Sequence, residues 1–227
     1  MKKRKNLLLA FAVLVLLFVG TTMLFHGQLT EHLIQKNTNS YDLRKETAET
    51  LRHNQTAQAD FDFSAVQPVG VQEILTAQLN KETYGMIGGL AIPELSIHLP
   101  VFQGMDGNKL LIGAGTLKDG QAMGKGNYAL ASHHIFGASG QLLFSPLVHA
   151  KNGQRIYLTD KAQVFVYAIN HVAVIPENQG TVILDDSEKT QITLITCYDE
   201  EALYRIVVQG DLVETLPFHQ DTAGWFG

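Results

Sequence analysis

The sequence predicts a mostly β domain, a closed or nearly closed β-barrel with one or two short helices, preceded by an N-terminal transmembrane helix and a polar stalk. Three observations carry that expectation. Leu7 to Phe25, "LLLAFAVLVLLFVGTTMLF", contains no charged side chain, and such a run is about as long as a helix needs to cross the roughly 30 Å hydrocarbon core of a bilayer. Downstream, many short apolar segments are separated by turn residues, with few stretches of helical period. The 227 residues suffice for one substantial core plus an appendage.

The elements follow in chain order. Residues 1–6, with Lys2, Lys3, Arg4 and Lys5 ahead of the apolar run, form a basic N-terminus of the kind retained in the cytoplasm, which puts the rest of the chain outside. Residues 7–25 form the anchor. They are longer than a signal-peptide core and are not followed by a small-x-small cleavage site. Residues 26–62 are polar, and Leu33, Ile34, Leu43 and Leu51 are too sparse for a continuous apolar stripe. They read as an extracellular stalk, solvated nearly all round, that holds the domain off the membrane.

The globular domain spans 63–227. Val71, Ile74, Leu75 and Leu79 fall at helical spacing and predict an amphipathic helix. "GGLAIPELSIHLPVFQG" then predicts edge or bulged strands punctuated by Pro93 and Pro100. The glycine-rich stretch from Gly104 to Asn127 reads as loop with a short helix, and "NYALASHHIF" returns to strand. "RIYLTDKAQVFVYAINHVAVIP" reads as two strands around "TDKAQ", with a loop starting near Asn170. "QITLITC" and "RIVVQGDLVETL" supply the last two strands.

Charge and cysteine content exclude some functions. The chain has a formal net charge of −5, and the four basic residues ahead of the anchor leave the remainder near −9. Such a domain is poorly suited to grip nucleic acid through phosphates. An exported protein commonly staples itself with disulfides, but Cys197 is the single cysteine and has no partner in its own chain. From composition alone it is either an inert core thiol or a reactive one.

A cysteine nucleophile needs a partner that manages its proton and a group that stabilises the oxyanion. Nine histidines are present, so position has to choose among them. His26, His32 and His53 lie in the stalk, His219 in the C-terminal tail, His149 and His171 in turn-like contexts, and His98 in a Pro-bounded strand. His133 and His134 instead end the strand "ALASHHIF". Neighbouring side chains on a strand diverge, so both cannot face one thiol. The same divergence, with one cysteine and no His-x-His pair, excludes a tetrahedral zinc site. After Cys197 comes the acidic loop "YDEEALY" and then Arg205, for which Glu200 and Glu201 are the nearby ion-pair candidates.

"TLITC", with a histidine upstream in "ALASHH" and an arginine downstream in "YRIVVQGDL", resembles the sortases, specifically the class A housekeeping transpeptidases of Gram-positive bacteria. The similarity covers roughly residues 87–214 and extends to the N-terminal anchor. It implies a sortase-type barrel of about eight strands, with 63–227 as the catalytic domain. It further implies Cys197 as nucleophile, His133 as general acid and base, and Arg205 as the group that positions substrate and stabilises the oxyanion. "ASHH" matches the family's Ala-Ser-His or Ala-Gly-His at its first three letters, which selects His133 over His134. Thr196, Ile195, Ala131, Val174 and Pro176 fall where the family's substrate groove and its β6/β7 loop lie, that loop being about residues 170–190 here.

The resemblance implies cleavage of a Leu-Pro-any-Thr-Gly signal between Thr and Gly, a thioester on Cys197, and transfer to an amine of the cell-wall precursor lipid II. Secreted proteins bearing that signal and lipid II are therefore the implied partners, with no nucleic acid. Substrate and acceptor are both tethered to the membrane, so anchoring the enzyme there raises their effective concentration. Some class A members bind calcium through carboxylates, where this chain has Ala91, His98 and Leu184. Glu94 with Asp185 or Asp186 is a thin oxygen set, so no metal and no cofactor is expected. The C-terminal "ETLPFHQDTAGWFG" is too short and polar to span a membrane, as in the housekeeping class.

Two other functions fit parts of the sequence. A papain-like hydrolase would place its cysteine before its histidine, in a "CGSCW" context, which is the reverse of the order here. A non-catalytic, membrane-anchored β-domain would bury Cys197 as an inert thiol.

Overall fold

The computed structural model describes residues 2–61, 84–136 and 140–226. The helix expected from Val71 lies outside them. Eight strands close a barrel in the order β1-β2-β3-β4-β7-β8-β6-β5. They are β1 (Met86–Ile92), β2 (Ile97–Phe102), β3 (Ala114–Thr116), β4 (Asn127–Ala131), β5 (Arg155–Thr159), β6 (Gln163–Pro176), β7 (Gln191–Cys197) and β8 (Tyr204–Pro217). The pairs β2–β3 and β4–β7 are parallel and the others antiparallel.

Alternation along the strands sorts side chains into two apolar groups. Tyr128 and Leu130 of β4, Ile192 and Leu194 of β7, and Ile206 and Val208 of β8 point into the barrel and join its main core. Their neighbours Ala129, Ala131, Ile195 and Val207 point outward, yet they are buried too, in a second cluster with Met105, Leu110 and Leu117. That outer cluster is where the site lies.

Pro93 opens a 3-10 turn, and Pro100 sits in β2 just before the two-residue pairing with β3. Its missing N–H therefore interrupts no rung there. The "NYALASHHIF" strand ends at Ala131, leaving both histidines beyond it.

Two expectations are corrected. The strand β6 does not end near Asn170. Ile169 pairs with Gly210 and His171 with Gln209, so Asn170 is absorbed as a bulge and pairing with β8 continues to Pro176. The β6/β7 loop accordingly begins at Glu177.

The polar segment after the apolar run is also not solvated all round. Helix α1 (Lys2–Ser40) runs unbroken from the apolar N-terminal stretch, with Ile34 buried against the core. The chain then straps the barrel. Leu43 and Leu51, the latter from helix α2 (Ala48–Asn54), pack with Met86, Phe102 and Ile112. Tyr41 packs edge-on against Phe102 with ring centroids 5.1 Å apart. Thr38 Oγ1 donates to the Ile112 carbonyl at 2.7 Å, Lys161 Nζ to that of Leu43 at 3.0 Å, and Asn54 Nδ2 to that of Met86 at 2.8 Å. Sparse apolar residues suffice because each meets a barrel pocket rather than a continuous helix face.

Candidate active site

Cys197 is the last residue of β7, and its ladder partner on β8 is Arg205. Both lie on the outward face, in line with Ile195 and Val207. The thiol is free and partly exposed. Burial raises its pKa, the positive charge of Arg205 lowers it, and Asp199 and Glu177 push it up again. The net direction is upward, so the resting thiol is protonated near neutral pH.

Arg205 is held by backbone as much as by charge. Its Nη1 donates to the Ala202 carbonyl at 2.6 Å and to that of Tyr204 at 3.2 Å. Its ion-pair partner is Glu177, 3.6 Å from Nη2, and not the expected Glu200 or Glu201. The Glu177 side chain is 57% exposed, so the pair adds little stability and leaves the guanidinium available. The loop that presents Arg205 is tied by Asp199, whose carboxylate accepts from the Tyr204 and Leu203 N–H groups at 2.9 and 3.3 Å.

His133 and His134 follow β4, alongside the end of β7. His133 is buried, and burial pulls its pKa down to about 4 against a hydrogen bond with the Gly107 backbone that raises it. It is a neutral imidazole at pH 7. His134 is half-buried, and its Nδ1 lies 2.8 Å from the Cys197 carbonyl oxygen.

Ile195, Arg205 and Ile175 of β6 line a cavity of about 460 Å3, roofed by Val182 and Ile183 of the β6/β7 loop. Ala131, directly opposite Ile195 on β4, belongs to the apolar cluster beneath. The expected groove residues thus separate by strand parity. Ile195 and Ala131 share the outward face, where Ile195 lines the cavity. Val174 and Pro176 flank Ile175 on the opposite face of β6 and are exposed, and it is Ile175 that lines the cavity. Thr196 likewise faces away from Cys197, is buried, and donates its hydroxyl to the Ser132 carbonyl at 2.8 Å. It braces β7 against the segment that carries His133.

The β6/β7 loop is fastened from below. Asn127 is 1% exposed. Its Nδ2 donates to the Val182 and Leu184 carbonyls at 3.0 and 3.2 Å, and its Oδ1 accepts from Thr193 Oγ1 at 2.7 Å. Asp185 accepts from the Asn127 N–H at 2.8 Å and from Lys118 Nζ at 2.5 Å. Gly126 sits beneath this contact at φ +53°, where a Cβ would lie 2.8 Å from the Asp185 carboxylate, so only glycine fits. Asn127, Lys118 and Ile175 carry no short motif in the sequence; only the register of the folded barrel brings them to the site.

A sortase-domain profile matches residues 90–213, and those residues include β7, the His133 segment and Arg205. The chain belongs to the sortase family. It is 40% identical to Sortase A of Streptococcus agalactiae over 209 residues, covering 91% of this chain and 85% of the relative. Sortase A of Listeria monocytogenes is 32% identical over 203 residues, covering 89% and 90%. The crystal structure of the Listeria monocytogenes sortase A superposes with a TM-score of 0.59 at 36% identity, covering 62% of this chain and 97% of that one. The closed eight-stranded barrel is thus a sortase barrel, and the family activity is transpeptidation.

Proposed function

We propose that this sortase is a membrane-anchored cysteine transpeptidase of the housekeeping kind. It cleaves a Leu-Pro-any-Thr-Gly signal of secreted proteins between Thr and Gly, and transfers the acyl part to an amine of lipid II. The observation that carries the proposal is the register of Cys197 with Arg205 at the edge of an apolar cavity. A nucleophile, a fixed cation and a groove for an apolar peptide then share one surface.

The chemistry starts from a neutral pair. As the Thr carbonyl carbon approaches Sγ, the thiol proton passes to His133 and the thiolate attacks. Negative charge develops on the carbonyl oxygen beside Arg205, where a fixed cation in a poorly hydrated site stabilises it more than water does. Collapse breaks the Thr–Gly bond, and His133 returns its proton to the leaving glycine amine. The thioester on Cys197 is then attacked by the lipid II amine, whose proton passes to His133; collapse breaks the C–S bond, and His133 returns that proton to the departing thiolate.

The anchor fits the same reading. A window from Arg4 to Thr21 within α1 is apolar enough to cross a bilayer. The basic cluster ahead of it favours a cytoplasmic N-terminus and an extracellular barrel, on the side where signal-bearing proteins and lipid II are presented.

Activity is independent of calcium in this reading. Calcium needs several oxygen ligands, whereas Asp185 already holds the Lys118 ammonium, Ala91 and His98 oppose each other across β1 and β2, and Leu184 is exposed. The loop that a metal would order is tied by Asn127 instead.

The test uses the full chain in detergent with a Leu-Pro-any-Thr-Gly peptide and excess glycine or alanine amine, the products being read by mass spectrometry. An amine-capped Thr product that disappears in Cys197→Ala and falls strongly in His133→Ala and Arg205→Ala is expected. Hydrolysed peptide alone would make the protein a protease. No cleavage, with Cys197 inert to alkylation, would make it a scaffold.

A further inference from the structure

We propose that His134 is a positioning residue for the nucleophile, whose ring takes the place of a missing rung in the β4–β7 ladder; this rests on the reading of Cys197 as the nucleophile. In a parallel ladder the rungs recur every second residue. The last backbone rung runs from the Ser132 N–H to the Ile195 carbonyl at 3.3 Å. The next rung donated from this side would run from the His134 N–H to the Cys197 carbonyl, but the chain has left the sheet. The His133 carbonyl accepts instead from the Phe144 N–H at 3.2 Å, and the Ile135 N–H donates to Ser145 Oγ at 2.9 Å. It is the His134 imidazole that reaches the Cys197 carbonyl, through Nδ1 at 2.8 Å.

A carbonyl oxygen only accepts, so this contact fixes the Nδ1–H tautomer. The ring is kept in place by stacking on Phe136, with centroids 4.1 Å apart and planes 13° from parallel. Together with the Thr196 hydroxyl on the Ser132 carbonyl, the contact brackets His133 from both sides. The backbone of residues 132–134 can therefore curl out of the sheet while Cys197 stays at strand register opposite Arg205. Two histidines in succession thus divide the work, His133 for the proton and His134 for the geometry.

Neutral and protonated imidazole both keep a proton on Nδ1, so the clamp holds on either side of the His134 pKa. Asparagine offers an N–H at nearly the position of Nδ1, whereas alanine offers none. The experiment compares wild type, His134→Ala and His134→Asn as full chains in detergent. Transpeptidation and alkylation of Cys197 by iodoacetamide are followed across pH 5 to 9, and melting temperature is recorded.

His134→Ala is expected to lower kcat about tenfold or more with KM changed by less than about threefold, while Cys197 alkylates faster because its strand end is no longer held. His134→Asn is expected to restore both rates to within about threefold, with the wild-type pH profile. His134→Asn as inactive as His134→Ala, or with an altered pH profile, would make the ring a proton carrier and overturn the proposal. His134→Ala indistinguishable from wild type would overturn it as well. If wild type performs no transpeptidation, the proposed function fails separately, and the alkylation comparison still decides whether His134 holds Cys197.

Discussion

Arg205 faces Cys197 across the β7–β8 ladder, residue opposite residue, and its charge is the one influence that lowers the pKa of a thiol which burial raises. Arg205→Ala is therefore expected to displace the alkylation–pH curve of Cys197 upward and to reduce transpeptidation by about 100-fold. Arg205→Lys recovers only part of the rate, since a single ammonium cannot sit on the Ala202 and Tyr204 carbonyls, as Nη1 does, and also beside Glu177, as Nη2 does. An unchanged alkylation curve in Arg205→Ala would remove the electrostatic role.

His133 links the site to stability. Its pKa falls from 6.5 to about 4 on folding, so between those values the unfolded chain binds more protons than the folded one. Stability is full above about pH 6.5 and declines as pH falls towards 4, by up to about 3 kcal/mol from this group. Urea unfolding at pH 7 and pH 4.5 checks it. The difference in stability between the two pH values should shrink in His133→Gln relative to wild type.

The β6/β7 loop is ordered by a buried amide and an ammonium. Asn127→Ala leaves the Leu184 carbonyl without its donor and the Thr193 hydroxyl without its acceptor, while Gln209 still serves Val182, at a cost of about 1 to 3 kcal/mol. Lys118→Ala is expected to raise KM for the signal peptide severalfold with a smaller change in kcat, because the stretch that Asp185 ties down roofs the cavity. Wild-type rates should be the same in chelator and in added calcium; a large loss of rate in chelator would contradict this.

The strap after the apolar N-terminal run packs on the barrel. Leu51 is fully buried, so Leu51→Ala is expected to destabilise the protein by about 2 to 5 kcal/mol. A true solvated stalk would show almost no change in the same denaturation experiment.

Much of this was legible in the sequence, for reasons that also mark where legibility ends. Period-two alternation in "QITLITC" and "RIVVQGDL" reports both the strands and their inner faces, and a lone cysteine between a histidine and an arginine reports the site. The resemblance put Val174 and Pro176 in a loop because Asn170 reads as a loop former; the bulge at Asn170 keeps them in β6, where Ile175 rather than Val174 lines the cavity. Leu43 and Leu51 are too widely spaced to signal burial, because their partners Met86, Phe102 and Ile112 lie on other elements. Glu177 is 28 residues from Arg205 by their numbers, so nothing local could select it over Glu200 and Glu201. The adjacency of His133 and His134 was visible, whereas their different hydrogen-bond partners depend on where β4 leaves the sheet.

The proposed transpeptidation passes through a covalent acyl intermediate on Cys197. The most direct measurement is the intact mass of the full chain after brief mixing with a Leu-Pro-any-Thr-Gly peptide in the absence of added amine, followed by peptide mapping of the adduct. A mass increase equal to the acyl fragment ending at Thr, located on Cys197 and discharged when a glycine amine is added, is the expected result. Cleaved peptide with no adduct on Cys197, or an adduct that persists when Cys197 is replaced by Ala, would contradict it.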